Sequence, residues 1–145
     1  MINLTSSWQF WALLAAVFAA LTAIFVKAGV QNINSDLATL LRTAVVLVAL
    51  GLLVWATGKG ESLSGVSPRT WFFLVMSGLA TGASWLCYFR AMQLGDASRV
   101  APVDKLSVVF VAIIAAVFLG EKLSALGWTG VGLIASGAII LAVAP

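Results

Sequence analysis

The sequence predicts an all-α integral membrane protein with five transmembrane helices. Three observations carry that prediction. Of the 145 residues 62% are hydrophobic and only 9% are charged, far less charge than the surface of a soluble domain needs. Mean hydropathy is +1.11. The apolar residues gather into five stretches, each close to the ~20 residues that cross ~30 Å of hydrocarbon. Helices are the expected form, because lipid offers no partner to a backbone N–H or C=O and a helix satisfies both within itself. The whole chain, residues 1–145, reads as a single transmembrane domain.

Span 1 covers about residues 8–26 and has no positively charged n-region before it, so it reads as a retained span rather than a cleaved leader. The polar turn from Gly29 to Ser35 ends at Asp36, the expected N-cap of span 2, about residues 37–57. A Gly- and Ser-rich loop from Gly58 to Pro68 leads into span 3, about residues 71–89. Gly95-Asp96-Ala97-Ser98 is a tight turn, with Asp96 or Ser98 as the cap of span 4, about residues 100–119. Pro102 sits early in that span, where it is either a first-turn residue or a kink. Gly120 to Ser124 turns the chain into span 5, about residues 123–143. Trp8, Trp11, Trp55, Trp71 and Trp128 lie near span ends, as an aromatic belt requires. Trp85 lies well inside span 3.

Small residues recur four apart, as in Gly78 and Gly82 of span 3, Ala112 and Ala116 of span 4, and Gly132 and Ser136 of span 5. Such faces let helix backbones approach closely, and packing within one bundle is the expected use. Span 5, polar only at Thr129 and Ser136, reads as a scaffold or dimer helix. The chain has no histidine and one cysteine, Cys87. That excludes an intramolecular disulfide and a Cys/His metal cluster; a lone cysteine of this kind is expected to be a small buried hydrophobe. No cofactor is expected. The net charge of +3 comes from scattered bases rather than a patch, which argues against nucleic acid as a partner.

An odd number of crossings places the two ends of the chain on opposite faces, here called A and B. The joints after spans 2 and 4 lie on face A and those after spans 1 and 3 on face B. Lys27 closes span 1 and Arg90 closes span 3, while Arg42 lies inside span 2 and Asp104 and Lys105 inside span 4. Every charge embedded in or bordering a span therefore falls in the B half. Ionisable residues there are costly and usually face an interior or a watery cavity. Lys27 and Arg90 are placed to snorkel to the interface; Arg42 and Lys105 have farther to reach. Asp104 is too short to snorkel, and no residue three or four away offers it an opposite charge. Its expected structural partner is a base on another helix. The surplus of bases over this one carboxylate favours an anionic or zwitterionic ligand. Ser77, Thr81, Ser84 and Tyr88 form a stripe on span 3 beside Trp85, read either as interhelical hydrogen bonding or as the wall of a pathway for an organic molecule.

From Tyr88 onward the chain resembles an EamA-type domain of the drug/metabolite transporter superfamily. The residues that carry the likeness are Tyr88-Phe89-Arg90-Ala91-Met92, Gly95-Asp96-Ala97-Ser98, Leu119-Gly120-Glu121-Lys122-Leu123-Ser124, then Gly130, Leu133-Ile134 and Gly137. Lys27 and Leu41-Arg42 fit less specifically. Full-length relatives hold two such domains, so the resemblance implies one half of a five-plus-five inverted-repeat transporter fold, like the small five-span bacterial and archaeal members. The family's mid-span proline falls near Val108, whereas here it is Pro102, and Asp104-Lys105 stand where small polar residues are usual. Four-span multidrug exporters of the superfamily use a glutamate in span 1 for proton and cation; span 1 here has no acid, which argues against that drug–proton mechanism.

The resemblance implies a multi-pass protein of the bacterial or archaeal cytoplasmic membrane. The expected activity is secondary transport of a small organic metabolite, carboxylate-bearing or zwitterionic. With one unit per chain, the inverted partner is expected to be a second copy, giving an antiparallel homodimer that works by alternating access. Loop bases are nearly balanced between the faces, as dual topology requires. Asp104 is the candidate for a coupling proton or cation. Arg42, Lys105, Arg90 and Lys27 are candidates for an anionic group, and Trp85, Tyr88 and Ser84 for lining the path. The rival reading is a non-transporting membrane subunit or helix-packing partner. An enzyme is not expected, because no nucleophile–base pair, metal set or phosphate loop is visible.

Overall fold

The structure, a computed structural model, describes residues 7–60 and 65–144. Among them the chain forms α1 (Trp8–Gly29), α2 (Ser35–Ala56), α3 (Pro68–Leu94), α4 (Ala97–Asp104), α5 (Ser107–Phe118) and α6 (Ala125–Val143), with no strand among the described residues. Five segments are long and apolar enough to cross a membrane, α4 and α5 together making the fourth, Ala97–Phe118. The fold is therefore the expected all-α, five-span one. Span 4 differs from expectation in being two helices rather than one. α3, at 27 residues, is roughly 40 Å long and runs past its apolar stretch at both ends.

The helix ends follow from local chemistry. The N-cap of α2 is Asn34, not Asp36. Asn34 Oδ1 accepts the N–H of Asp36 at 2.9 Å and of Leu37 at 3.2 Å. This leaves Asp36 in the first turn, where its charge suits the positive end of the helix dipole. Ser67 Oγ accepts the Thr70 N–H at the head of α3, and Ser124 Oγ accepts the Gly127 N–H at the head of α6. Asp96 precedes α4 without a side-chain cap bond. α2 closes in a Schellman turn: Gly58 takes φ 62°, its N–H reaches Trp55 O, and the Lys59 N–H reaches Val54 O. Gly120 takes φ 69° after α5, which turns the Glu121 N–H back onto Ala115 O.

The helices fall into two compact units, Val30–Gln93 and the rest. In Val30–Gln93, Gln93 Nε2 donates to Val30 O at 2.9 Å and to Ile33 O at 2.6 Å. The end of α3 is thereby tied to the segment entering α2, and the two helices form an antiparallel hairpin. Val30, Ser35, Thr39, Phe89 and Met92 are its buried residues. In the other unit α6 packs on α4 and α5, and α1 packs on α4. Lys27 Nζ donates to Gly95 O at 2.8 Å, fastening the end of α1 to the turn before α4.

Large apolar side chains cover the outer helix surfaces; Trp55 and Leu126 are more than four-fifths exposed. Hydrocarbon around the helices makes that surface stable where water would not. Cys87 is exposed rather than buried, which costs a weakly polar thiol little when the surroundings are lipid. The small-residue faces also differ from expectation. A Cβ added at Gly78, Gly82, Gly130, Gly132 or Gly137 meets no atom within 4 Å, so close packing inside the described chain does not account for them. The hydroxyls of Thr129 and Ser136 bond to carbonyls of their own helix, Ala125 O and Gly132 O.

Two glycine substitutions are expected to act in opposite directions. Gly51→Ala adds a methyl to open space inside α2 and gains about 0.5–1 kcal/mol, whereas Gly120→Ala forces a side chain into the left-handed region and loses about 1–2 kcal/mol. Thermal unfolding of both variants in lipid nanodiscs measures the difference.

Candidate functional site

Span 4 breaks where its charges lie. Pro102 has no N–H to give the helix, yet the interruption is not at the proline. It comes three residues on, at Lys105 and Leu106. There the backbone shifts from i→i−4 bonds toward i→i−3 bonds: Lys105 N–H is shared between Ala101 O and Pro102 O, Leu106 N–H goes to Val103 O, and Val108 N–H goes to Lys105 O. Asp104 is the last residue of α4 and Lys105 its C-cap. Lys105 Nζ reaches Asp104 Oδ2 at 3.2 Å. Asp104 thus takes its own neighbour rather than a base on another helix. Residues one apart diverge on a regular helix and do not face each other, so the pair needs the flexible lysine stem to fold back at the helix end. The two side chains are 34% and 55% exposed, open to whatever fills the space beside the break.

Arg42 is arranged differently. Its guanidinium carbon lies 4.2 Å from the centroid of Trp85 and 5.6 Å from that of Phe89. Trp85 and Phe89 are four apart on α3 and share the face that Arg42 meets. Arg42 lies seven residues into α2, roughly 10 Å along it, whereas Trp85 lies nine residues before the end of α3, roughly 13 Å from that end. Phe89 is shallower, at roughly 7 Å. The guanidinium carbon sits closer to the Trp85 ring than to the Phe89 ring. Phe89, 3% exposed, was not among the residues singled out from sequence; its spacing of four from Trp85 is the signal that marks it.

The bases in and around the spans now separate by what holds them. Lys27 donates to Gly95 O and Lys105 is paired with Asp104. Arg99 Nη2 donates to Ala144 O, at the C-terminal end of α6 where a cation suits the helix dipole. Arg90 is exposed, four residues from the end of α3, within reach of the interface. Arg42 alone is embedded in a span, half-buried, with its N–H groups in no hydrogen bond or ion pair among the described residues.

Thr81 Oγ1 donates to Ser77 O of its own helix at 2.9 Å. Ser84 is exposed, while Trp85 and Tyr88 are half-buried. Near Arg42 on α2, Thr39 and Thr43 likewise donate to carbonyls one turn back, Ser35 O and Thr39 O, each at 2.8 Å.

Comparison with known proteins agrees with this architecture. Residues 6–143 match the EamA-like transporter family. A Sinorhizobium sp protein described as an uncharacterized transporter in cobO 3'region is 61% identical over 140 residues, which cover 97% of this chain and 99% of that protein. No solved structure matches the chain at a significant level.

The Asp104–Lys105 pair generates a stability prediction. Asp104→Ala leaves an ammonium unanswered in the span and is expected to cost about 2 kcal/mol on the scale for charges at mid-membrane. Asp104→Ala combined with Lys105→Ala is expected to recover most of it. A double-mutant cycle on thermal unfolding in nanodiscs gives the coupling.

Proposed function

Since the chain belongs to the EamA-like transporter family, we propose that it is a secondary active transporter of a small organic metabolite bearing a carboxylate or zwitterionic group. It works by alternating access as an antiparallel homodimer in the bacterial or archaeal cytoplasmic membrane. The observation that carries this reading is the interruption of span 4 at Asp104 and Lys105. Interrupted spans are where secondary transporters of inverted-repeat design place their substrate and ion sites, because a broken helix frees backbone and admits charge at membrane depth.

Asp104 is the proton- or cation-binding group. It is the carboxylate inside a span, it is open to its surroundings, and its partner is a flexible lysine rather than a rigid guanidinium. Taking up a proton or a cation releases Lys105, and the exchange of partners couples ion binding to the conformation of the break. Five crossings put the ends of the chain on opposite faces, so a second copy must invert to give a pair with one polar half on each face. The open small-residue faces of α3 and α6 suit close approach by a helix of that second copy.

Two measurements test the reading. In proteoliposomes, uptake from a panel of labelled carboxylates and amino acids is expected to follow an imposed proton or sodium gradient. Asp104→Asn is expected to abolish gradient-driven uptake by at least tenfold while retaining exchange of solute across the membrane. Undiminished gradient-driven uptake in the mutant removes Asp104 from coupling. A C-terminal reporter read on both faces of the membrane is expected to give a mixed signal; one clean orientation removes the antiparallel homodimer.

A further inference from the structure

Arg42 is the one embedded base whose hydrogen-bonding capacity the described chain leaves uncommitted. A guanidinium carries five N–H donors in one plane and no acceptor. The Arg42 guanidinium carbon lies over the Trp85 indole at 4.2 Å, and a partner that is to use its N–H groups comes in along the guanidinium plane, at the edge. Edge approach is the geometry of a bidentate carboxylate, whose two oxygens match two parallel N–H groups. Unsatisfied donors at this depth are costly, so the edge has to be met by water or by an anion.

The surroundings narrow the anion further. The described carboxylate in the Val30–Gln93 unit is Asp36, six residues before Arg42 and roughly 9 Å toward the helix end. Asp36 Oδ1 accepts the Ser35 hydroxyl at 3.2 Å. At its own depth in this unit a ligand held at Arg42 therefore finds one strong cation and no described carboxylate to hold an ammonium. What it does find is aromatic and apolar: Trp85, Phe89 and, on the same stretch of α3, Tyr88.

We propose that Arg42 is the binding residue for the carboxylate of the transported molecule, that Trp85 is a positioning residue holding the guanidinium in place, and that organic acids without an α-ammonium bind better than amino acids. The proposal deepens the transporter reading and rests on it. It also moves the anion site away from Lys105, whose charge Asp104 already answers.

The experiment is ligand-dependent thermal stabilisation of the purified, detergent-solubilised protein. The probes are propionate and 3-phenylpropionate, with 3-phenylpropanamide, phenylalanine and phenethylamine as matched controls. At least one carboxylate is expected to stabilise the wild type, the amide and the amine not at all, and phenylalanine less than 3-phenylpropionate. Arg42→Met is expected to abolish the effect. Arg42→Lys keeps the charge, guards against misfolding, and is expected to bind roughly tenfold more weakly because a lysine cannot make the bidentate contact. Trp85→Ala is expected to raise the apparent Kd several-fold, and Trp85→Phe to restore most of it, a rescue that a merely space-filling role does not require of an aromatic ring.

Carboxylate binding unchanged in Arg42→Met overturns the proposal, as does a wild type that no carboxylate stabilises or that phenylalanine stabilises most. The two readings fail separately. Gradient-driven uptake of phenethylamine but not of a carboxylate leaves the transporter standing and removes the Arg42 site. Carboxylate binding lost in Arg42→Met, with no solute moved by any gradient, leaves the site standing and removes the transporter.

Discussion

A charge within a membrane span has to be answered, and the way each one is answered sets the character of this molecule. Lys27 and Arg99 are answered by carbonyl oxygens at turns and helix ends, Gly95 O and Ala144 O. Both bonds are structural, because each joins two parts of the chain that sequence separates widely. Lys105 is answered by the residue beside it. Arg42 is answered by the aromatic side chains of α3, with no hydrogen bond or ion pair among the described residues. The first two contacts hold a scaffold together, and the last two leave groups within reach of a solute.

The pair in span 4 and the break in its helix depend on each other. On an uninterrupted helix Asp104 and Lys105 point apart, and each adds its own cost to the span. At a helix end the lysine folds back and the pair becomes close to neutral. The tightened i→i−3 bonding through Lys105, Leu106 and Val108 is the kind of mid-span 3₁₀ turn that often marks a hinge. Pro102 contributes by leaving an eight-residue α4 with one backbone donor fewer, so little energy opposes its separation from α5. Charge, backbone and flexibility thus meet at one point of the chain.

The sequence makes the spans legible because hydrocarbon imposes a length, and length can be counted without knowing any contact. Helix ends are less legible. α3 continues through Arg90 to Leu94 because a helix need not stop where the membrane does. Asn34 and Asp36 are both good caps, and only the backbone decides that Asn34 takes the role. The site residues are legible as types and not as partners. Arg42, Asp104 and Lys105 stand out as charges in apolar runs, but a helical-neighbour rule built on spacings of three and four cannot see a pair one apart; applied from Trp85 it reaches Phe89, yet applied from Arg42 it stays on α2 and finds neither ring. Cys87 shows the same limit: a rule for water-soluble interiors buries it, and lipid leaves it on the outside.

Magnitudes decide what the Arg42 stack can and cannot do. A desolvated cation–π contact is worth about 2 kcal/mol, whereas an arginine at the centre of a span costs about 2.5–3.5 kcal/mol on insertion scales. The Trp85 contact therefore offsets much of the cost of Arg42, the more distant Phe89 ring adds less, and the unused N–H groups still have to be answered. A protein that needed only stability would let the side chain extend to the interface, where water answers all five donors. Held against Trp85 and Phe89, it leaves its N–H groups for something else to answer, either water in a cavity or the oxygens of a bound anion. The deficit is small enough for water to cover when the site is empty. It is also large enough for a carboxylate to be drawn in and, because water can replace it, released again.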